Sequence, residues 1–318
     1  METYEAAHMT LADADYIERY GSLNRDVALP EPFGWLVSPE ASADDTAAAK
    51  ARLTLLSVLP DAIQKAQPSG RRTQGADKTE FTALEYPPRK AGLPGLSLYL
   101  RRRPGEENFE LFTTAPALPG TRAEAEVMAV HADANGVSGD AALKFGETVF
   151  TCALPYFFYD GAFLEPGLKC EFEVSAVAVG QSFGLASELA PGEAFSVSSG
   201  PFYEEALQDF LSQHPGLGRE ALPEVKVSTE NLQLISPHGS DACLMELRCR
   251  AEKAARLEFF SSAVLRLDCV LDQAFGEKPL AIYAAETPEW SAEKLSGQFI
   301  AGLFWVSARL VPESFPKH

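Results

Sequence analysis

Lys169-Cys170-Glu171-Phe172-Glu173-Val174-Ser175-Ala176-Val177-Ala178-Val179 is the stretch on which the reading of the fold turns. In an extended chain Cys170, Phe172, Val174, Ala176 and Ala178 share one side, and Lys169, Glu171, Glu173 and Ser175 share the other. A period of two with one apolar and one charged side predicts a strand buried on one face and wetted on the other, as in antiparallel sheets.

The same period recurs on both sides of this strand. Upstream, Ala123, Ala125, Val127 and Ala129 share a face, Asp133-Ala134-Asn135-Gly136 supplies a turn, and Phe145 to Ala153 reads as a further strand. Leu96, Leu98 and Leu100 alternate with Ser97, Tyr99 and Arg101, and the turn Arg103 to Asn108 before Phe109 to Thr113 completes a hairpin. Downstream, strands are predicted over Val225 to Ile235, Ala242 to Arg250, Ala263 to Leu271, Pro279 to Ala284 and Gln298 to Val311. Phe172 to Val179 also resembles Phe304-Trp305-Val306-Ser307-Ala308-Arg309-Leu310-Val311 at an offset of 132 residues, and each copy follows a strand and an aromatic excursion. A small barrel built twice produces such an echo, as do two amphipathic strands that draw on few residue types.

Helical signals are few. A helix is expected from Asp44 to Leu59, with acids at its start and Leu53, Leu56 and Leu59 on one side, and a continuation to Gln67 kinked at Pro60. Another is expected from Phe202 to Gln213, opened by Pro201 and closed by His214-Pro215-Gly216. A short helix is read at Leu11 to Tyr20 within an arm, and residues 68–94, rich in Pro, Gly and Arg, read as a linker. The resulting expectation is an α+β chain. Residues 1–94 form an acidic, partly helical region, 95–200 a first antiparallel β module, and 201–318 a helix with a second. Each module is expected to be of barrel or sandwich type, like an oligonucleotide-binding barrel.

Composition bounds the function. With 318 residues, 46% hydrophobic and 23% charged, the chain has apolar surface enough for a core. Its start, Met1-Glu2-Thr3-Tyr4-Glu5, lacks the basic and apolar pattern of an export signal, and its most apolar stretch, Phe299 to Val306, is too short to span a bilayer. A cytoplasmic location is therefore expected, in which the five cysteines stay reduced inside the core. The net charge of −18 is uneven: residues 1–48 carry −8 (ten acids, two bases) and residues 71–103 carry +5 (eight bases, three acids). Such a field repels phosphate backbones, which disfavours nucleic acid and favours a basic protein partner.

No metal-ligand spacing, nucleotide loop or cofactor motif is present, so no metal or cofactor is expected. One catalytic pattern is matched: Gly180-Gln181-Ser182-Phe183-Gly184 fits Gly-x-Ser-x-Gly, with His214 or His238 as the available imidazole. The elbow of a hydrolase needs an apolar parallel strand before it and a long helix after it. Here the strand alternates with Lys and Glu, and Pro191-Gly192 stops the helix. The remaining candidates are aromatic. Tyr156, Phe157, Phe158 and Tyr159 cannot all face one core if extended, so some of them pack under a loop or meet a partner, and Trp290 occupies the matching excursion of the second copy. The expected function is thus binding through protein contacts without catalysis, with a serine hydrolase at Ser182 and a single-strand nucleic-acid binder as alternatives.

Overall fold

A computed structural model of the chain describes residues 31–37, 45–87, 93–133, 138–189, 194–197, 201–228, 233–237, 243–276 and 278–311. The strands are β1 (Gln67–Gln74), β2 (Glu80–Tyr86), β3 (Gly95–Arg102), β4 (Glu110–Ala117), β5 (Thr121–Ala132), β6 (Gly139–Phe145), β7 (Thr148–Ala153), β8 (Lys169–Leu185), β9 (Ala194–Val197), β10 (Val225–Ser228), β11 (Leu234–Pro237), β12 (Leu244–Phe259), β13 (Ser262–Val270), β14 (Leu280–Ala285) and β15 (Phe299–Leu310). The helices are α1 (Glu31–Val37), α2 (Asp45–Lys65), α3 (Phe157–Asp160), α4 (Ala186–Leu189), α5 (Pro201–Gln213), α6 (Asp272–Phe275) and α7 (Ala292–Leu295).

The expected α+β arrangement of a helical region and two separate antiparallel modules does not form. The described chain is mostly β. Strands β1 to β4 make a four-stranded antiparallel sheet, and a nine-stranded mixed sheet runs β11-β12-β13-β14-β8-β15-β7-β6-β5, with further pairings β12–β15 and β8–β5. Those two extra pairings close the sheet on itself twice. One ring is β5, β6, β7, β15 and β8; the other is β12, β13, β14, β8 and β15. Each half of the chain lends its last strand to the other half's ring through a parallel contact, β15 beside β7 and β14 beside β8. Modules that exchange strands cannot be two independent barrels of oligonucleotide-binding type. The region assigned to helix and linker also contains β1 and β2. Their sequence hid them, because β1 (Gln-Pro-Ser-Gly-Arg-Arg-Thr-Gln) is a polar edge strand with Pro68 and a bulge, and carries no apolar alternation.

The two rings repeat one plan. β5–β6, β6–β7 and β5–β8 are antiparallel, and so are β12–β13, β13–β14 and β12–β15. The plan meets itself where β8 and β15 run antiparallel, and Ser175 stands directly opposite Ser307 there, their hydroxyls 3.2 Å apart. Both serines are 132 residues apart, the offset of the sequence echo. The interior is a single cluster to which both halves contribute, including Phe172, Val174 and Ala176 from β8 and Phe304, Val306 and Ala308 from β15. Burying each phenylalanine side chain contributes roughly 1.5–3 kcal/mol.

Turn chemistry fixes the hairpins. Phe260 and Ser261, joining β12 to β13, both take positive φ (48° and 66°), the left-handed pair whose twist suits a two-residue hairpin. A second core lies outside the rings, where Leu36, Leu55, Leu59 and Ala62 of α1 and α2 pack with Leu96 and Leu98 of β3 on Val264, Ala281 and Tyr283 of β13 and β14. Helix α2 runs as one helix through the expected continuation to Lys65, with Pro60 inside it. The expected helix at Leu11 to Tyr20 lies outside the described residues. No helix among the described residues is long and apolar enough to cross a membrane.

Candidate functional site

The aromatic run resolves into a turn. Tyr156 precedes α3, so the four rings leave the chain in helical directions and need not share the two faces of a strand. Tyr156 and Phe158 are buried with Ala83 and Tyr99 of the four-stranded sheet, and Tyr99 sits 5.7 Å from the Tyr156 ring and 5.9 Å from that of Phe158. Phe157 is half-buried and fills the space beside Gly139 and Gly161, where an added Cβ would come within 2.6 Å and 2.9 Å of its ring. Tyr159 is half-buried against Phe163 at 5.3 Å. The run therefore plugs the seam between the two sheets. Trp290, in the matching excursion, is half-buried with its edge toward Phe183 at 6.2 Å and Lys294 4.6 Å from its ring.

Around this plug lies a cluster of ionisable groups that residue spacing gave no way to foresee. Arg71 of β1, 3% exposed, donates through Nε to Asp160 Oδ1 at 3.1 Å and through Nη2 to the Leu310 carbonyl at 2.8 Å. Its guanidinium lies 4.3 Å from the Tyr156 ring centre. The Tyr156 hydroxyl donates to Glu85 Oε1 at 2.5 Å and accepts from Ser97 at 2.6 Å. Arg309 of β15 then bridges Glu85 and Glu173, each at 3.4 Å, and donates to the Leu118 carbonyl at 3.1 Å. Glu173 also accepts from the Gly120 amide at 2.8 Å. Two guanidiniums thus sit among three carboxylates, a phenol and the Ser97 hydroxyl, contributed by β1, β2, β3, the 154–168 excursion, β8 and β15.

Burial governs the protonation of this cluster. It raises the Asp160 carboxyl above its ordinary value, against the pull of Arg71 in the other direction. The Tyr156 phenol is pushed up to about 12, chiefly by burial, with Arg309 opposing and Glu85 adding to the rise. The phenol is neutral at physiological pH and keeps its proton, which it donates in the hydrogen bond to Glu85. Every member of the cluster is saturated by another part of the protein, so the arrangement clamps the four-stranded sheet to the rings and offers no nucleophile to solvent.

Ser182 is exposed and lies inside β8, where Gly302 pairs with Phe183 but Phe304 pairs with Ala178. The residues from Val179 to Ser182 are thus a bulge between antiparallel strands. The Ser182 hydroxyl donates to the Val179 carbonyl at 2.6 Å. The strand before it is paired with β15 and the four-residue α4 follows it, a context unlike a hydrolase elbow. His214 is exposed at the end of α5 with its ring 4.8 Å from that of Phe210. His238 lies outside the described residues. Cys152, Cys170, Cys249 and Cys269 are buried, and burial pushes the thiols of Cys152, Cys170 and Cys269 up, away from reactivity.

Arg71, Arg72, Arg101, Arg102 and Arg103 of the basic run are spent on the chain itself. Arg102 holds Glu80 at 2.7 Å, Arg72 contacts the same carboxylate, and Arg101 and Arg103 hold Glu110 at 2.5 and 3.3 Å. Among the described residues no group of three or more His, Cys, Asp or Glu side chains is placed to hold a metal ion. Comparison with protein-family models, curated proteins and solved structures finds no match to the chain.

Proposed function

We propose that the protein is a non-enzymatic binding or accessory protein that acts through its surface on a basic protein partner. The observation that carries this reading is the fate of its arginines. Arg71 and Arg309 are buried in the clamp, and Arg72, Arg101, Arg102, Arg103, Arg256 and Arg266 are paired with the chain's own carboxylates. With 45 acids against 27 bases, pairing within the chain leaves an excess of 18 acids. Such an excess favours cationic protein faces by long-range attraction and disfavours the phosphates of nucleic acid.

The test is affinity capture on the immobilised full-length protein, with bound proteins released by a salt gradient and identified by mass spectrometry. Basic proteins released at moderate salt are expected, because exposed charge pairs are screened within about 10 Å at 0.1 M ionic strength. Acidic or salt-insensitive partners would count against the reading. Labelling by a fluorophosphonate that disappears in Ser182→Ala would replace it with hydrolysis.

A further inference from the structure

Neither four-strand unit of the double ring is complete without the other. The ring begun by β5, β6, β7 and β8 closes only when β15 lies between β7 and β8, and the ring of β12 to β15 closes only when β8 lies between β14 and β15. The shared β8–β15 ladder pairs Phe172 with Leu310 at one end and Leu185 with Ile300 at the other. Its inward side chains, Val174, Ala176, Phe304, Val306 and Ala308, belong to one core cluster. Among its described residues the segment joining the units contributes no strand between them, since β9 pairs with β10, and β11 is added to the outer edge of β12. Strand pairing and a shared core therefore hold the units, as in an obligate interface that resembles a domain core cut in half, and the clamp at Arg71 and Arg309 and the second core add contacts between the amino-terminal part and β13 to β15.

We infer that the β8–β15 ladder is a self-complementary docking surface whose partner is the other four-strand unit of this protein, so that the two units stay bound when the chain between them is cut. The plan of each unit is the same, the ladder is antiparallel, and Ser175 faces Ser307 at the centre of its regular part, where Phe172 to Ala178 pair with Phe304 to Leu310, the geometry of a two-fold interface between copies. The connecting segment acts as a tether. It raises the effective concentration of one unit near the other and adds nothing to the specificity of their pairing. A unit released alone would present unpaired strand edges and half of an apolar core to water. The inference is independent of the identity of any external partner.

A protease recognition sequence inserted at Gly216 tests this. The site follows α5, is exposed, and has φ +107° with nothing within 4 Å of an added Cβ. After cutting, the two fragments are expected to elute together at the mass of the uncut protein and to melt in one transition. In the cut Ser175→Cys, Ser307→Cys variant, oxidation should join the fragments into one band on a non-reducing gel. Fragments that separate on the column in native buffer overturn the inference. Fragments that co-elute but fail to cross-link overturn it too, because the units would then be held by other contacts. Should the cysteine variant not fold, cut protein carrying Ala308→Arg asks the same question. Release of the fragments supports docking through the shared ladder, and retention contradicts it.

Discussion

Arg71 shows how a single residue changes meaning between sequence and structure. In the sequence it belongs to a basic run; in the fold it is the buried partner of Asp160, with 3% and 2% of the two side chains exposed. Removing one member of such a pair leaves the other charge stranded, at a cost of about 3–5 kcal/mol, whereas replacing both with apolar groups is close to neutral. Arg71→Met is accordingly expected to lower the urea midpoint sharply, and adding Asp160→Leu to restore most of it. Tyrosine ionisation supplies a second check. The Tyr156 and Tyr283 phenols are pushed up to about 12 by burial, so between pH 10 and 12 the unfolded chain gives up protons that the folded chain keeps. Their contribution is fully present below pH 10 and is lost as the pH rises, by up to about 3 kcal/mol for each. An alkaline titration followed by phenolate absorbance should show these two tyrosines ionising only with unfolding. A thiol reagent should likewise find at most Cys243 in the folded protein, the one half-buried cysteine, and all five after denaturation.

Among the elements, β8 does the most. Its alternation was plain in the residues, and its burial follows: Phe172, Val174 and Ala176 are fully buried. What alternation could not show is that Glu173, on the side expected to be wet, is also buried, because the Gly120 turn packs against it and Arg309 pairs with it. The far end of β8 depends on Gly302. A Cβ there would stand 2.5 Å from the Ser182 carbonyl oxygen and 2.8 Å from the Phe183 Cα, so the bulge is possible only where β15 has no side chain. Gly302→Ala is expected to cost roughly 1–3 kcal/mol through backbone displacement, measured by thermal or urea unfolding. Ser182→Ala, in an exposed bulge, should change stability by about 0.5 kcal/mol or less. Helices were legible to different degrees. The starts of α2 and α5 were marked by acids and by Pro201, while α3 escaped notice because a four-residue turn is too short for any period.

For the whole molecule, several strands depart from their expected ends, since β8 runs on to Leu185, β12 runs on to Phe259, and the stretch expected as one strand over Val225 to Ile235 divides into β10 and β11. Local pattern nonetheless marked the carboxyl-terminal two-thirds as strand and located most strand starts. These features follow from nearest-neighbour chemistry, since alternation, turn residues and helix-end charges act over a few positions along the chain. Which strands pair was decided only in three dimensions. Arg309 finds Glu85 across 224 residues and Arg71 finds Leu310 across 239, and no short-range rule selects either partner. The exchange of β8 and β15 between rings is of the same kind, because an amphipathic strand satisfies its backbone and buries its apolar side equally well on either of two neighbours. Closure of both rings at once singles out one arrangement, and that condition belongs to the assembled chain as a whole.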